Sequence, residues 1–215
     1  MNSTDKNELL NRYGQIQVTQ AMAQVLEQMP TAGVHAVMET ILYYAAQLKQ
    51  SLSSGSTIVD AVETLYDAGL QVHDTPPVNL SCRKGCAHCC HIQVMVTTAE
   101  AKTITQYCKQ HDIPIDYSHL KKQRDFQEGT HGHSEHSACV FLKNNECSIY
   151  PVRPFNCRNY FVVSDPKLCD VKANPRTQVL KWVDMNLQIF HSALLMVGVD
   201  GEQDSLARIF LKLKK

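Results

Sequence analysis

Apolar residues recur at helical spacing through the first 75 residues of the chain. One apolar stripe covers residues 34–48 and ends at a polar loop over 51–56, and a second stripe covers 58–70. Such stripes predict amphipathic helices whose apolar faces pack into a core. An earlier helix is predicted over 18–29, so this part of the chain is expected to be helical.

Pro76 and Pro77 mark the end of the helical region. Proline lacks the backbone N–H, and the residue before it avoids helical backbone angles, so a helix ends there. We therefore predict a helical N-terminal region over 1–77, a cysteine-bearing module over 78–172, and C-terminal helices over 173–215 that pack on the rest.

Inside the module, Thr97 and Glu100 have the spacing of a capping box, which opens a helix predicted to reach about Gln110. Cys108 lies on the apolar face of that helix. We interpret it as a small buried core residue rather than as part of a site. A further short helix is predicted over 115–126.

The predicted β content is small. Two short β-prone runs begin at Cys139 and Cys147 and flank Lys143–Glu146, which predicts a hairpin with the two cysteines on neighbouring strands. Apolar residues over 179–197 predict the longest helix, and a last helix is predicted over 205–213. The predicted fold is mostly α, with helices surrounding a small irregular, metal-held cysteine centre and a short β-hairpin.

Composition adds one unusual feature, the placement of the cysteines. Lys plus Arg and Asp plus Glu both number 21, so no basic excess points to nucleic acid or to an anionic membrane surface. Residues 1–17 lack a signal-peptide pattern, and the most apolar segment, 193–199, is far too short to span a membrane. All nine cysteines fall between Cys82 and Cys169. We expect a cytoplasmic protein, in which clustered cysteines favour metal ligands or redox groups over disulfides.

Four cysteines lie close together at the start of the module: Cys82, Cys86, Cys89 and Cys90. Two residues separate Cys86 from Cys89, the spacing that lets both thiolates of one turn reach a single metal ion, and Gly85 would ease that turn. Adjacent Cys89 and Cys90 would project in opposite directions from an extended backbone, so they need not bind the same ion. No βαβ pattern surrounds them, which disfavours a thioredoxin-like site.

Four more cysteines follow at wider spacing: Cys139, Cys147, Cys157 and Cys169. The two groups together supply eight candidate thiolate ligands. Two tetrahedral four-thiolate sites would use all eight. One such site, or one cubane iron–sulfur cluster, would use four and leave the others for gating, exchange or a second cluster. The residues alone leave these alternatives open.

Other polar side chains accompany the thiols. Arg153 and Arg158 bracket Cys157, and Arg83 and Lys84 lie in the first group. Their N–H groups are candidates to hydrogen-bond sulfur or a substrate anion, and the alternative is that they are ordinary solvated cations.

Histidine is the other candidate ligand. His88 and His91 lie within the first group, where either is a candidate to replace one thiolate of a four-ligand site. The histidines of the run 131–136 lie in a predicted polar loop over 128–137, which is interpreted as a loop rather than a site. No phosphate-loop, metalloprotease or serine-hydrolase motif is present, so those classes have no support.

The order of the motifs is similar to that of a known family. The later motifs are Cys139-Val-Phe-Leu, Cys147-Ser-Ile-Tyr, Arg153-Pro and Cys157-Arg. With residues 82–90 they resemble the YkgJ-like cysteine-cluster family, the CxxCxxCC zinc- or iron-chelating domain, over about residues 80–170. One departure is that three residues, not two, separate Cys82 from Cys86. The resemblance implies a bound metal, and a related cluster occurs in flagellin lysine methylases, which leaves an enzyme among the alternatives.

We therefore expect a metal-binding protein whose clustered cysteines chelate zinc or an iron–sulfur cluster, including a 4Fe–4S cluster. The alternatives are an iron–sulfur-dependent enzyme or electron carrier that modifies proteins, and a helical interaction protein with a structural zinc. Structural zinc contributes an apparent ~10 to 16 kcal/mol, so the module should be disordered without metal while the N-terminal helices persist. Two filled four-thiolate sites would leave the protein about four charges below its formal zero.

Overall fold

The computed structural model describes residues 12–54, 57, 59–61, 63, 80–83, 85–126, 138–170, 173, 179–198 and 201–214. Helices dominate these ranges and the strands are short, which confirms the predicted mostly α fold. The Pro76–Pro77 boundary, the loop over 128–137 and most of the predicted helix over 58–70 lie outside the described residues. Within the described ranges, no helix combines the length and the apolar character needed to cross a bilayer.

The regular elements are named here in chain order. The α-helices are α1 (Gln20–Leu26), α2 (Thr31–Ser53), α3 (Thr98–Gln110), α4 (Tyr117–Phe126), α5 (Phe155–Arg158), α6 (Met185–Val197) and α7 (Leu206–Leu213). The strands are β1 (Met95–Thr97), β2 (Leu142–Lys143), β3 (Glu146–Cys147), β4 (Phe161–Val162), β5 (Lys181–Trp182) and β6 (Gln203–Ser205). Short 3₁₀ helices cover His88–His91, Tyr150–Val152 and Pro166–Cys169.

The chain divides into two compact units, each formed from two separate stretches of sequence. The first comprises residues 1–72 and 183–200, and the second comprises residues 73–182 and 201–215. The segment predicted as one group of C-terminal helices, 173–215, is thus shared between the two units. All nine cysteines belong to the second unit.

In the first unit, α2 packs against α6. The predicted apolar stripe of α2 faces the core, with Ile41 fully buried, and the Tyr44 and Phe190 rings lie 4.3 Å apart between the two helices. The earlier helix predicted over 18–29 is α1, which begins where the Thr19 side chain accepts the N–H of Met22. These elements follow from the helical spacing of the apolar residues.

The helix predicted over 179–197 begins later than expected, at Met185. Its N-cap is Asp184, whose carboxylate accepts the N–H groups of Asn186 at 3.0 Å and Leu187 at 3.2 Å. The preceding Lys181–Trp182 forms β5, which pairs antiparallel with β4. The prediction was therefore wrong over 179–184, and among the described helices α2, with 23 residues, is the longest.

A buried histidine on α6 should make the first unit sensitive to acid. Burial lowers the pKa of His191 to about 4, so the folded state holds the ring neutral at pH values where an unfolded histidine is protonated. The contribution of the neutral His191 ring to the unfolding free energy is therefore fully present above about pH 6.5. It is lost as the pH falls from there to about 4. This shift corresponds to about 3 kcal/mol of unfolding free energy.

We expect His191→Gln to show a smaller loss of unfolding free energy than the wild type between pH 7 and pH 5. The measurement is chemical denaturation of both full chains by circular dichroism across that range, with the metal content held constant. Other titrating groups are common to both chains, so their effect cancels in the comparison. Equal slopes for the two chains would contradict the prediction.

In the second unit, α7 packs against α3 and α4, and β1 pairs antiparallel with β6. The predicted capping box is confirmed at the start of α3, and α3 ends at Gln110 as expected. Cys108 is 3% exposed, which confirms its interpretation as a core residue. The most deeply buried apolar side chains of this unit include Ile104, Leu120, Phe141, Ile149, Ile209 and Phe210. The second unit therefore has an apolar core beside its cysteines.

The predicted hairpin is formed by β2 and β3. Asn144 and Asn145 occupy its turn with φ angles of 51° and 61°, the left-handed pair that a type I′ turn requires. Cys147 lies on β3, as predicted. Cys139 lies three residues before β2 and not on it, so the predicted placement of both cysteines on neighbouring strands was wrong for Cys139.

Candidate metal centre

The eight candidate cysteines lie on short helices, a short strand and the loops between them in the second unit. Cys89 and Cys90 lie on the 3₁₀ helix His88–His91, which packs against the 3₁₀ helix Pro166–Cys169 that ends at Cys169. The backbone N–H of Cys139 donates to the carbonyl of Cys90 at 2.7 Å. Long-range pairing therefore brings sequence-distant cysteines to one place. The remaining candidates are Cys82, Cys86, Cys147 and Cys157, and all eight thiols are free.

Backbone N–H groups point at three of the sulfurs. They belong to Val162 for Cys82, Phe141 for Cys139 and Ile149 for Cys147. In the last two cases the donor lies two residues after the cysteine, so the local fold of the hairpin supplies it. An N–H group that donates to sulfur stabilises the thiolate, which is the form that binds metal.

The thiols are nevertheless difficult to ionise together. Burial, together with repulsion from the Cys147 and Cys89 thiolates, raises the pKa of Cys139 to about 12. Burial also raises the pKa of Cys157 well above its ordinary value, with repulsion from Cys139, Cys89 and Cys147 added to it. A bound cation would relieve this repulsion, and binding would release the thiol protons.

Cys89 interacts electrostatically with most of the other candidate thiols. Its negative charge acts on six of them, which are those of Cys82, Cys90, Cys139, Cys147, Cys157 and Cys169. Cys82 and Cys169 also interact with Cys86. Cys90 and Cys157 also interact with Cys139 and Cys147.

The backbone at Cys89 and Cys90 is helical, not extended. The Cys90 thiol donates a hydrogen bond to the Cys89 sulfur, which lowers the pKa of Cys89 and raises that of Cys90. The premise of an extended backbone, from which the two thiols would diverge, was therefore wrong. The turn before them follows the expected form, since Gly85 has a φ of +85°.

Two arginines are buried beside the thiols. Arg153 is 7% exposed and Arg158 is fully buried, so the interpretation of these two as solvated cations is excluded. The guanidinium of Arg153 lies 3.8 Å from the centroid of the Tyr150 ring. Its positive charge lowers the pKa of four thiols, those of Cys82, Cys89, Cys147 and Cys157. By contrast, Arg83 is exposed to solvent, and Lys84 lies outside the described residues.

Glu100 connects α3 to the segment that carries Cys157. Its carboxylate accepts the backbone N–H of Thr97 at 2.8 Å and that of Phe155, the first residue of α5, at 2.6 Å. Burial raises the pKa of Glu100, and these hydrogen bonds and the charge of Arg158 oppose that shift. The capping box was visible in the sequence, but the second role of the same carboxylate depends on a residue 55 positions away.

The donor set fits zinc and iron, since thiolate sulfur is the ligand both accept in four-coordinate sites and clusters. His88 and His91 share a 3₁₀ helix with two of the thiols, whereas His131, His133 and His136 lie outside the described residues. Among the described residues, no three Cys, His, Asp or Glu side chains stand in an arrangement that would already hold an ion.

A helical unit with eight free thiols on neighbouring irregular segments has the features of a cysteine-ligated metal-binding domain. Residues 81–182 match the model of the CxxCxxCC family, described as a "putative zinc- or iron-chelating domain". The match confirms the resemblance over these residues and supports metal binding. No curated protein and no solved structure gave a match.

Proposed function

We propose that the second unit chelates zinc or iron through its cysteine thiolates, with iron bound as an ion or as an iron–sulfur cluster. The observation that carries the proposal is the approach of cysteine segments that lie far apart in sequence: the backbone N–H of Cys139 donates to the carbonyl of Cys90, and the 3₁₀ helix His88–His91 packs against the one that ends at Cys169. The ligands proposed are Cys82, Cys86, Cys89, Cys90, Cys139, Cys147, Cys157 and Cys169.

The surroundings of the thiols support this proposal over a role in packing. A buried cysteine that only fills space, such as Cys108, has no need of an N–H donor or a counter-charge at its sulfur. Cys139 and Cys147 each have an N–H donor, and the buried Arg153 acts on Cys147. Because four thiolates around a divalent ion leave a net charge of about −2, such groups are expected around a thiolate centre.

The test is metal analysis of the full chain purified without oxygen, with zinc, iron and acid-labile sulfide counted per chain. We expect stoichiometric zinc or iron in the wild type. A brown protein with sulfide would identify an iron–sulfur cluster, and a colourless protein with zinc would identify a zinc site. A wild-type protein with neither metal above background would overturn the proposal.

Cys147→Ala and Cys108→Ala form a matched pair for this experiment, since both replace a thiol of the second unit by the same small side chain. We expect Cys147→Ala to lose most of the bound metal and Cys108→Ala to retain the wild-type content. Full retention by Cys147→Ala would remove Cys147 from the proposed ligand set.

A further inference from the structure

Arg153 is buried in a way that its protein neighbours do not explain. The central carbon of its guanidinium lies 3.8 Å from the centroid of the Tyr150 ring and 5.7 Å from the centroid of the Phe161 ring. Among the described residues, its Nε atom has no hydrogen-bond partner. A guanidinium cannot lose its charge in a protein, and burying it is costly unless an anion or a hydrogen-bond acceptor accompanies it.

The neighbouring arginine has a different set of contacts. Arg158 donates from Nε to the backbone carbonyl of Arg153 at 3.1 Å and from its terminal nitrogen to the carbonyl of Pro151. It also interacts electrostatically with Glu100. Arg158 therefore fixes the backbone of the segment from which Arg153 extends, whereas the buried Nε of Arg153 has no such partner among the described residues.

We propose that Arg153 is a positioning residue of the metal centre, whose guanidinium supplies the fixed counter-charge and an N–H donor to the thiolate sulfurs that hold the ion. The inference rests on the proposed function. The charge of Arg153 acts on Cys82, Cys89, Cys147 and Cys157, which are four of the eight proposed ligands.

Arginine suits this place better than lysine. The guanidinium is planar, weakly hydrated and permanently charged, so it stacks on the Tyr150 ring and still presents N–H groups at its edge. The stacking holds the charge in one orientation before metal arrives. Groups of this kind, one step removed from the ion, typically change metal affinity by about 10- to 100-fold when they are lost.

The experiment uses the full chain and its variants Arg153→Met, Arg153→Lys and Arg83→Met. Arg153→Met keeps an apolar stem but removes the charge, and Arg153→Lys restores a charge. Arg83→Met removes an exposed arginine next to Cys82 and serves as the matched control. Each protein is loaded with Co²⁺ and, separately, with Zn²⁺ without oxygen. The thiolate-to-cobalt absorption bands and the rate of metal removal by excess EDTA are then measured.

We expect Arg153→Met to lose metal at least about tenfold faster than the wild type and to show altered cobalt bands. Arg153→Lys should lose metal more slowly than Arg153→Met but faster than the wild type. Arg83→Met should behave as the wild type, because an exposed charge is screened by water and salt. Amide exchange in α3 serves as the check that each variant is folded. Should Arg153→Met fail this check, Arg153→Gln takes its place.

Wild-type rates and spectra for a folded, uncharged variant at position 153 would overturn the inference. If Arg153→Lys lost its metal as fast as the uncharged variant, the counter-charge role of Arg153 would be overturned. These outcomes differ from a failure of the proposed function, in which the wild type itself would show no thiolate-to-cobalt bands and would retain neither zinc nor iron.

Discussion

Removing the metal is expected to unfold the cysteine-bearing segments of the second unit while the helices of the first unit stay folded. A structural ion of this kind contributes an apparent ~10 to 16 kcal/mol, which matches or exceeds the whole stability of a typical domain, roughly 5 to 15 kcal/mol. Without the ion, burial and mutual repulsion oppose ionisation of the thiols.

Amide exchange measured by mass spectrometry, before and after chelation under reducing conditions, checks this expectation. Peptides from 82–91 and 139–169 should lose their protection, and peptides from α2 should keep it. Peptides from α3 report whether the apolar core of the second unit survives on its own. Unchanged protection over 82–91 and 139–169 in a protein shown to be free of metal would contradict the prediction.

Replacing Glu100 by alanine should strongly destabilise the second unit even with its metal bound. The variant removes the acceptor for the N–H groups of Thr97 and Phe155 and leaves Arg158 buried without that carboxylate. Each buried N–H donor left without its acceptor costs about 1 to 3 kcal/mol. We expect a loss of this size in the unfolding free energy of the metal-loaded full chain, measured by chemical denaturation.

Asp116→Ala is the matched control for this substitution. Asp116 also accepts two backbone N–H groups at the start of a helix, those of Ser118 and His119, but its carboxylate is exposed to water. We expect a much smaller loss of stability from Asp116→Ala than from Glu100→Ala. If the two variants were equally stable, Glu100 would act only as a helix cap, and its hydrogen bond with Phe155 would contribute nothing measurable to the unfolding free energy.

The features that the sequence predicts correctly are those set by residues close together along the chain. The capping box of Thr97 and Glu100 and the left-handed turn at Asn144 and Asn145 involve neighbours within three residues. The apolar spacing of α2 is equally local, since it follows from the period of the helix.

The features that the sequence does not reveal depend on distant partners. Apolar residues over 179–183 continue the helical pattern of α6, yet Lys181 and Trp182 pair with β4 some 20 residues earlier. The burial of Arg153 has the same kind of cause, because the thiols on which its charge acts are spread over residues 82–157. The eight cysteines are visible as candidates in the sequence, but the approach of Cys139 to Cys90 is seen only in the fold.

The pairing of β1 with β6 has a consequence for how the metal-binding unit is isolated. The family match ends at residue 182, whereas β6 and α7, which complete the same unit, lie in 201–215. A fragment cut at residue 182 would leave β1 an open edge and would expose the apolar faces of α3 and α4 that α7 covers. Such a fragment would tend to aggregate even with its metal bound, so its failure would reveal nothing about the cysteines.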